Sequence, residues 1–114
     1  MTNEAKHFDD NKPALQYLLA IEGLSEVARV GMFGAGKYGQ FNYKDGMPWM
    51  KLAGSISRHL QAWILGEDYD HESKCHHIAH LVFDGLMLLD YWKRTKGNDD
   101  RYKELPKASS NLPF

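Results

Sequence analysis

The sequence has a single cysteine, no excess of basic charge and no long apolar run, and each shortage removes a class of protein. Cys75 has no partner for an intramolecular disulfide, and no CxxC is present for zinc or redox work. A reducing, cytosol-like compartment follows. Lys and Arg number 14 against 15 Asp and Glu, so no net positive field drives coating of nucleic acid. No apolar stretch approaches a membrane span, and MTNEAKHFDDNKP lacks the apolar core of a secretory signal. The expectation is a soluble cytoplasmic protein with no nucleic-acid or membrane partner. Runs of alternating apolar and polar residues are also missing, which argues against a sheet.

What remains is helical. Hydrophobic residues make up 43% of 114, enough for one domain with a modest core. Tyr17, Leu18, Ile21, Leu24, Ala28 and Phe33 recur at helical spacing from Ala14, with Asp9, Asp10 or Asn11 as a cap and Pro13 in the first turn. Gly34, Gly36 and Gly39 are expected to stop this helix. A second is predicted over Trp49–Leu65, with Leu52, Ile56, Leu60, Trp63 and Ile64 facing a core and Gly66 ending it. Glu72-Ser73 is expected to open a third that reaches about Thr95. The predicted class is all-α: a small bundle of three main helices, four with a short tail element. Its parts are a polar arm over 1–12, a helical domain over 13–95 and a polar tail over 96–114. So small a bundle buries its core better as a homo-oligomer, a dimer or tetramer.

Residues 30–43, VGMFGAGKYGQFNY, match two phosphate-binding patterns, G-x-x-x-x-G-K and G-x-G-x-x-G. Each pattern needs a strand before it and a helix after it. Here Tyr38 stands where a P-loop needs Ser or Thr, and Gly46 and Pro48 interrupt the helix a dinucleotide fold requires. A glycine-rich helix end and turn is the favoured reading. Lys37 beside backbone amides can meet a phosphate without either fold.

The stronger signal is GEDYDHESKCHHIAHLVFDGLMLLDYW. On a helix His77, His80 and Asp84 form one stripe among Ile78, Ala79, Leu81, Val82, Phe83, Leu86 and Leu89. A helix apolar nearly all round is a buried one, and buried polar groups need partners, metal or water. The stripe is therefore either a solvent-facing edge, a set of core histidines bonded to carbonyls, or a site. Glu67, Asp68, Asp70, His71, Glu72 and His76 lie close by in sequence. Glu22 and Glu26 repel at i, i+4 unless Arg29 neutralises them or a divalent cation uses them. Oxygen ligands with histidine nearby suit Mg²⁺ or Mn²⁺, since no thiolate pair exists. Arg58-His59 offers either a phosphate clamp or an ordinary surface arginine.

Taken in order, GAGKYG, FNY, RHLQAW, GEDYDHES and HHIAH resemble the phage dATP/dGTP diphosphohydrolase N-terminal domain family. The likeness spans about residues 12–90. That family is similar to the MazG-like, all-α NTP pyrophosphohydrolases, helical oligomers that use Mg²⁺ or Mn²⁺ to cleave a nucleoside triphosphate to monophosphate and pyrophosphate. The resemblance implies a (deoxy)purine nucleotide as partner and the host-cell cytoplasm as location if the chain is phage-encoded. It implies Lys37, Tyr38, Asn42, Tyr43, Arg58 and His59 on the substrate. Glu67, Glu72, His77 and His80 would be catalytic, and Glu26, Glu67, Asp70, Glu72 and Asp84 would hold the metal. Asn42-Tyr43 replaces the family's N-W pair, Asp84 stands where Asn is usual, and the MazG ExxE spacing is not reproduced. The alternative function is a binding protein that sequesters a nucleotide, or a nucleotide second messenger, uncleaved.

Overall fold

The computed structural model describes residues 12–103. The predicted arm up to residue 11, with its capping residues Asp9, Asp10 and Asn11, and the tail beyond residue 103 lie outside that range. Within it the chain is all-helical: α1 is Gln16–Leu19, α2 is Leu24–Tyr38, α3 is Trp49–Ile64 and α4 is His77–Arg94. A 3₁₀ turn, Asn42–Asp45, joins α2 to α3. No strand occurs among the described residues, only isolated bridges at Pro48–Asn98 and Tyr69–His76.

The single helix expected from Ala14 to Phe33 is instead two. Ile21 and Leu24 close i→i+3 turns between them, and Leu15, Leu18, Leu19 and Ile21 remain exposed. A helix without a packed face rarely extends, which accounts for the four residues of α1.

The glycines also behave differently from expectation. Gly34 and Gly36 sit inside α2, and only Gly39 ends it, at φ 100° with its N–H bonded to the Ala35 carbonyl. A left-handed residue here costs glycine nothing. The helix tolerates its interior glycines because Val27 and Val30 anchor it against Cys75 and Ala79, with Phe33 and Phe83 packed around them. At Gly31 a Cβ would lie 2.9 Å from the Phe83 ring, so the bare backbone lets α4 approach α2.

α3 starts where its unpaired amides find acceptors. Trp49 N–H donates to the Asn98 carbonyl, and Met50 N–H to Asp100 Oδ1 at 2.9 Å. The carboxylate also complements the positive end of the helix. Residues 96–100 thus fold back over the start of α3, where Gly46 and Gly97 meet backbone to backbone. Leu52 is buried, but Leu60, Trp63 and Ile64, expected to face a core, are exposed. Among the described residues α3 packs chiefly on α4, which leaves much of its surface uncovered.

α4 begins at His77 rather than at Glu72-Ser73. Asp70 Oδ2 accepts the amides of Glu72 and Ser73, Lys74 takes φ 64°, and His76 caps the helix by accepting the Ile78 amide. A carboxylate that satisfies its own downstream amides holds a turn and delays the helix. α4 is not buried all round either, because Val82, Leu86 and Leu89 are exposed. His77 and Asp84 are the buried pair. The polar stripe faces inward and part of the apolar surface faces out.

Candidate functional site

The inward stripe lines a cleft of about 650 Å³ between α2, the 3₁₀ turn, α3 and α4. Each wall has its own chemistry. The end of α2 supplies Lys37 and Tyr38, and the 3₁₀ turn supplies Asn42 and Tyr43. α3 contributes Ser55, Arg58 and His59, the turn before α4 contributes Asp70 and Glu72, and α4 contributes His80, Phe83, Asp84 and Met87. Helical spacing explains the grouping on α4, since i, i+3 and i+7 share a face.

Three histidines converge where α3 crosses α4. The Nδ1 atoms of His59 and His77 are 2.8 Å apart, and the His59 ring stacks on His80 at 4.2 Å with 5° between planes. One ligand atom each from His59, Asp70 and His77 lies within 4.8 Å of the others. Behind them His77 Nε2 meets Glu67 Oε1 at 2.7 Å. His80 Nε2 meets Ser73 Oγ at 2.6 Å, and Ser73 also receives the Cys75 amide.

Burial sets the charges. It lowers the pKa of His59, helped by neighbouring His77, and that of His80, helped by His59. Both are neutral near pH 7. The hydrogen bond from His77 keeps Glu67 below its ordinary value, hence ionised. Burial works to raise Asp70, but bonds from Ser73 outweigh it and hold the carboxyl below normal. Asp84 goes the other way: burial raises it against a bond from Ser55, and its Oδ2 has no hydrogen-bond partner among the described residues. An unpartnered buried carboxyl oxygen in a cleft wall is costly unless a ligand completes it. Lys37 Nζ pairs with Glu72 Oε2 at 2.5 Å, which raises the lysine.

Ten residues expected at the site therefore share the cleft: Lys37, Tyr38, Asn42, Tyr43, Arg58, His59, Asp70, Glu72, His80 and Asp84. His77 lies behind His59, and Glu67 lies behind His77, in a shallower depression beside Arg58. Glu26 is not brought to the cleft; it pairs with Arg29 at 3.2 Å on α2. Sequence reasoning missed Ser55, Ser73, Phe83 and Met87 as lining or supporting residues. Phe83 and Met87 flank the Asp84 stripe at helical spacing, a signal that was available; Ser55 and Ser73 carried none.

Among the described residues no helix is long and apolar enough to cross a membrane. A family model described as dATP/dGTP diphosphohydrolase, N-terminal, matches residues 2–101. A protein named dATP/dGTP diphosphohydrolase from Salmonella phage PMBT28 is 34% identical over 96 residues, covering 82% of this chain. The chain spans about a third of that curated relative, 32% of its length. No solved structure matches. With its ordered motifs gathered around one cleft, and the match running through nearly all of its described length, the chain belongs to the dATP/dGTP diphosphohydrolase N-terminal family.

Proposed function

We propose that the cleft binds a (deoxy)purine nucleoside triphosphate and hydrolyses it to nucleoside monophosphate and pyrophosphate. The observation that carries this reading is one cavity holding two cations, an acidic and imidazole group, and an aromatic wall. Lys37 and Arg58 would hold the phosphates and stabilise charge on the leaving pyrophosphate. Tyr38 and Tyr43 would stack on the base while Asn42 reads an edge. The relative's printed name agrees with this chemistry.

The donors present fit a divalent cation. Among the described residues Asp84 Oδ2 lacks a partner, and Asp70, held ionised, lines the same cleft. Asp70, Asp84 and Glu72 would hold Mg²⁺ or Mn²⁺, oxygen ligands being what these ions take. Such an ion, when bound, supplies charge neutralisation on the phosphates. Water would form a bond to the α phosphorus while the bond to the α,β-bridging oxygen breaks. Its proton would pass to neutral His80, directly or through the Ser73 hydroxyl. His77, tied to both Glu67 and His59, is better placed to orient than to accept that proton. Apolar side chains left outside α1 and α3 support assembly as a homo-oligomer, dimer or tetramer. If the chain is phage-encoded, it would act in the host cytoplasm.

Incubating the purified chain with Mg²⁺ or Mn²⁺ and a panel of NTPs and dNTPs tests the reading. Monophosphate and pyrophosphate should appear from a purine substrate; their absence from every substrate would sink it. The sequestering alternative is favoured by one observation, that Lys37 is engaged by Glu72. Recovery of intact nucleotide after denaturation of the complex would select that alternative.

A further inference from the structure

We infer that His59, His77 and Asp70 form a binding site for a first-row transition ion, with Glu67 as the residue that positions His77 for it. The inference deepens the hydrolase reading and rests on it only for what the ion would be used for, not for whether it binds.

Three observations converge. At 2.7 Å the Glu67 carboxylate oxygen accepts a hydrogen bond from His77 Nε2. That leaves the His77 Nδ1 facing the Nδ1 of His59 across the space the two rings share. A carboxylate behind a ring, fixing its tautomer and raising its basicity, is the arrangement that metal-binding histidines use. Second, two ring nitrogens each about 2.1 Å from one ion at a right angle stand roughly 3 Å apart. The 2.8 Å between the two Nδ1 atoms is within a few tenths of that spacing. Third, the Asp70 carboxylate joins the pair within 4.8 Å, and its direction is set by the Glu72 and Ser73 amides on Oδ2. Stacking on His80 holds the His59 ring in plane.

Two imidazoles and one carboxylate form a softer donor set than the all-oxygen cage expected of the resemblance. Imidazole suits first-row transition ions, whereas Mg²⁺ prefers oxygen and keeps its waters. Cys75 adds no thiolate, since it packs with Val27, Val30 and Ala79. Glu67 moves from ligand to positioning residue.

The test uses the full chain, stripped with a chelator and titrated with Mn²⁺, with Mg²⁺ as competitor. Mn²⁺ bound at the two imidazoles should survive about 100-fold excess Mg²⁺. Pulsed electron paramagnetic resonance of bound Mn²⁺ should report nitrogen couplings from coordinated imidazole; this needs no variant to fold. His59→Ala should weaken Mn²⁺ at least tenfold. Glu67→Ala should weaken it about 10–100-fold, and Glu67→Gln, which keeps an acceptor for Nε2–H, should recover much of the loss. Absence of nitrogen coupling, displacement by equimolar Mg²⁺, or no binding at millimolar Mn²⁺ overturns the site. Hydrolysis without nitrogen coupling would overturn the site and leave the hydrolase reading; nitrogen-coupled Mn²⁺ without hydrolysis would do the reverse.

Discussion

Lys37 at the end of α2 reaches Glu72 in the turn before α4, Nζ to Oε2 at 2.5 Å, and so links two walls of the cleft. Both side chains reach solvent, Glu72 more than Lys37, so the pair adds little to stability. On the proposed reading a triphosphate competes with Glu72 for the lysine. Lys37→Met should weaken a non-hydrolysable purine triphosphate about tenfold or more in calorimetry while leaving the melting temperature unchanged. With divalent ions chelated, Glu72→Gln should strengthen binding, because it releases the lysine. Equal affinity in all three proteins would remove Lys37 from the phosphate site.

Burying Asp84 costs stability at neutral pH. Its folded pKa is raised by burial, so the folded state holds its proton more tightly than the unfolded one. Stability from this residue is present at low pH and lost as pH rises through the folded value. Asp84→Asn should therefore raise the melting temperature at pH 7, by roughly 5 °C, with the gain shrinking toward pH 4. A melting temperature that falls at pH 7 would contradict the buried-charge account.

Acid should destabilise the metal-free protein through His59 and His80. Both have folded pKa values lowered from 6.5, first by burial. His59 faces His77, Asp84, Asp70 and Arg58, while His80 faces His59, Asp70, His77 and Glu72. Below pH 6.5 the unfolded chain binds protons that the folded one resists, so stability falls as pH drops. Thermal melts in chelator from pH 7.5 to 5.5 should move steadily down, and less so in His80→Asn. A flat profile in the wild type would show that the cluster is not neutral.

Tyr91 is fully buried and its hydroxyl donates to the Tyr43 carbonyl in the 3₁₀ turn. Tyr91→Phe leaves that carbonyl unpaired and should cost about 1–2 kcal/mol in urea unfolding. Since Tyr43 lines the cleft, purine nucleotide affinity should fall as well. Unchanged stability would mean that water replaces the bond.

The polar stripe of α4 was legible as a stripe, though not its inward direction, because a helix carries residues i, i+3 and i+7 on one side whatever surrounds it. Lys37, Asn42 and Arg58 could be listed only as candidates, since no local rule brings the end of α2 to the middle of α3. The glycine stretch misled for a related reason. Helix propensity disfavours Gly34 and Gly36, yet packing around Val27 and Val30 extends α2 to Tyr38. The start of α4 was misplaced because Asp70 takes the amides that an earlier helix turn would have used.

By itself the sequence determined an all-helical chain, its two long later helices and the residue types available for chemistry, because spacing along one chain is a local property. Only the tertiary structure decided that His59 meets His77, that Glu67 stands behind the pair, that Glu26 stands apart, and that apolar residues of α3 and α4 face outward. Those outcomes depend on which helix crosses which and at what register, and that follows from packing between segments far apart in the chain.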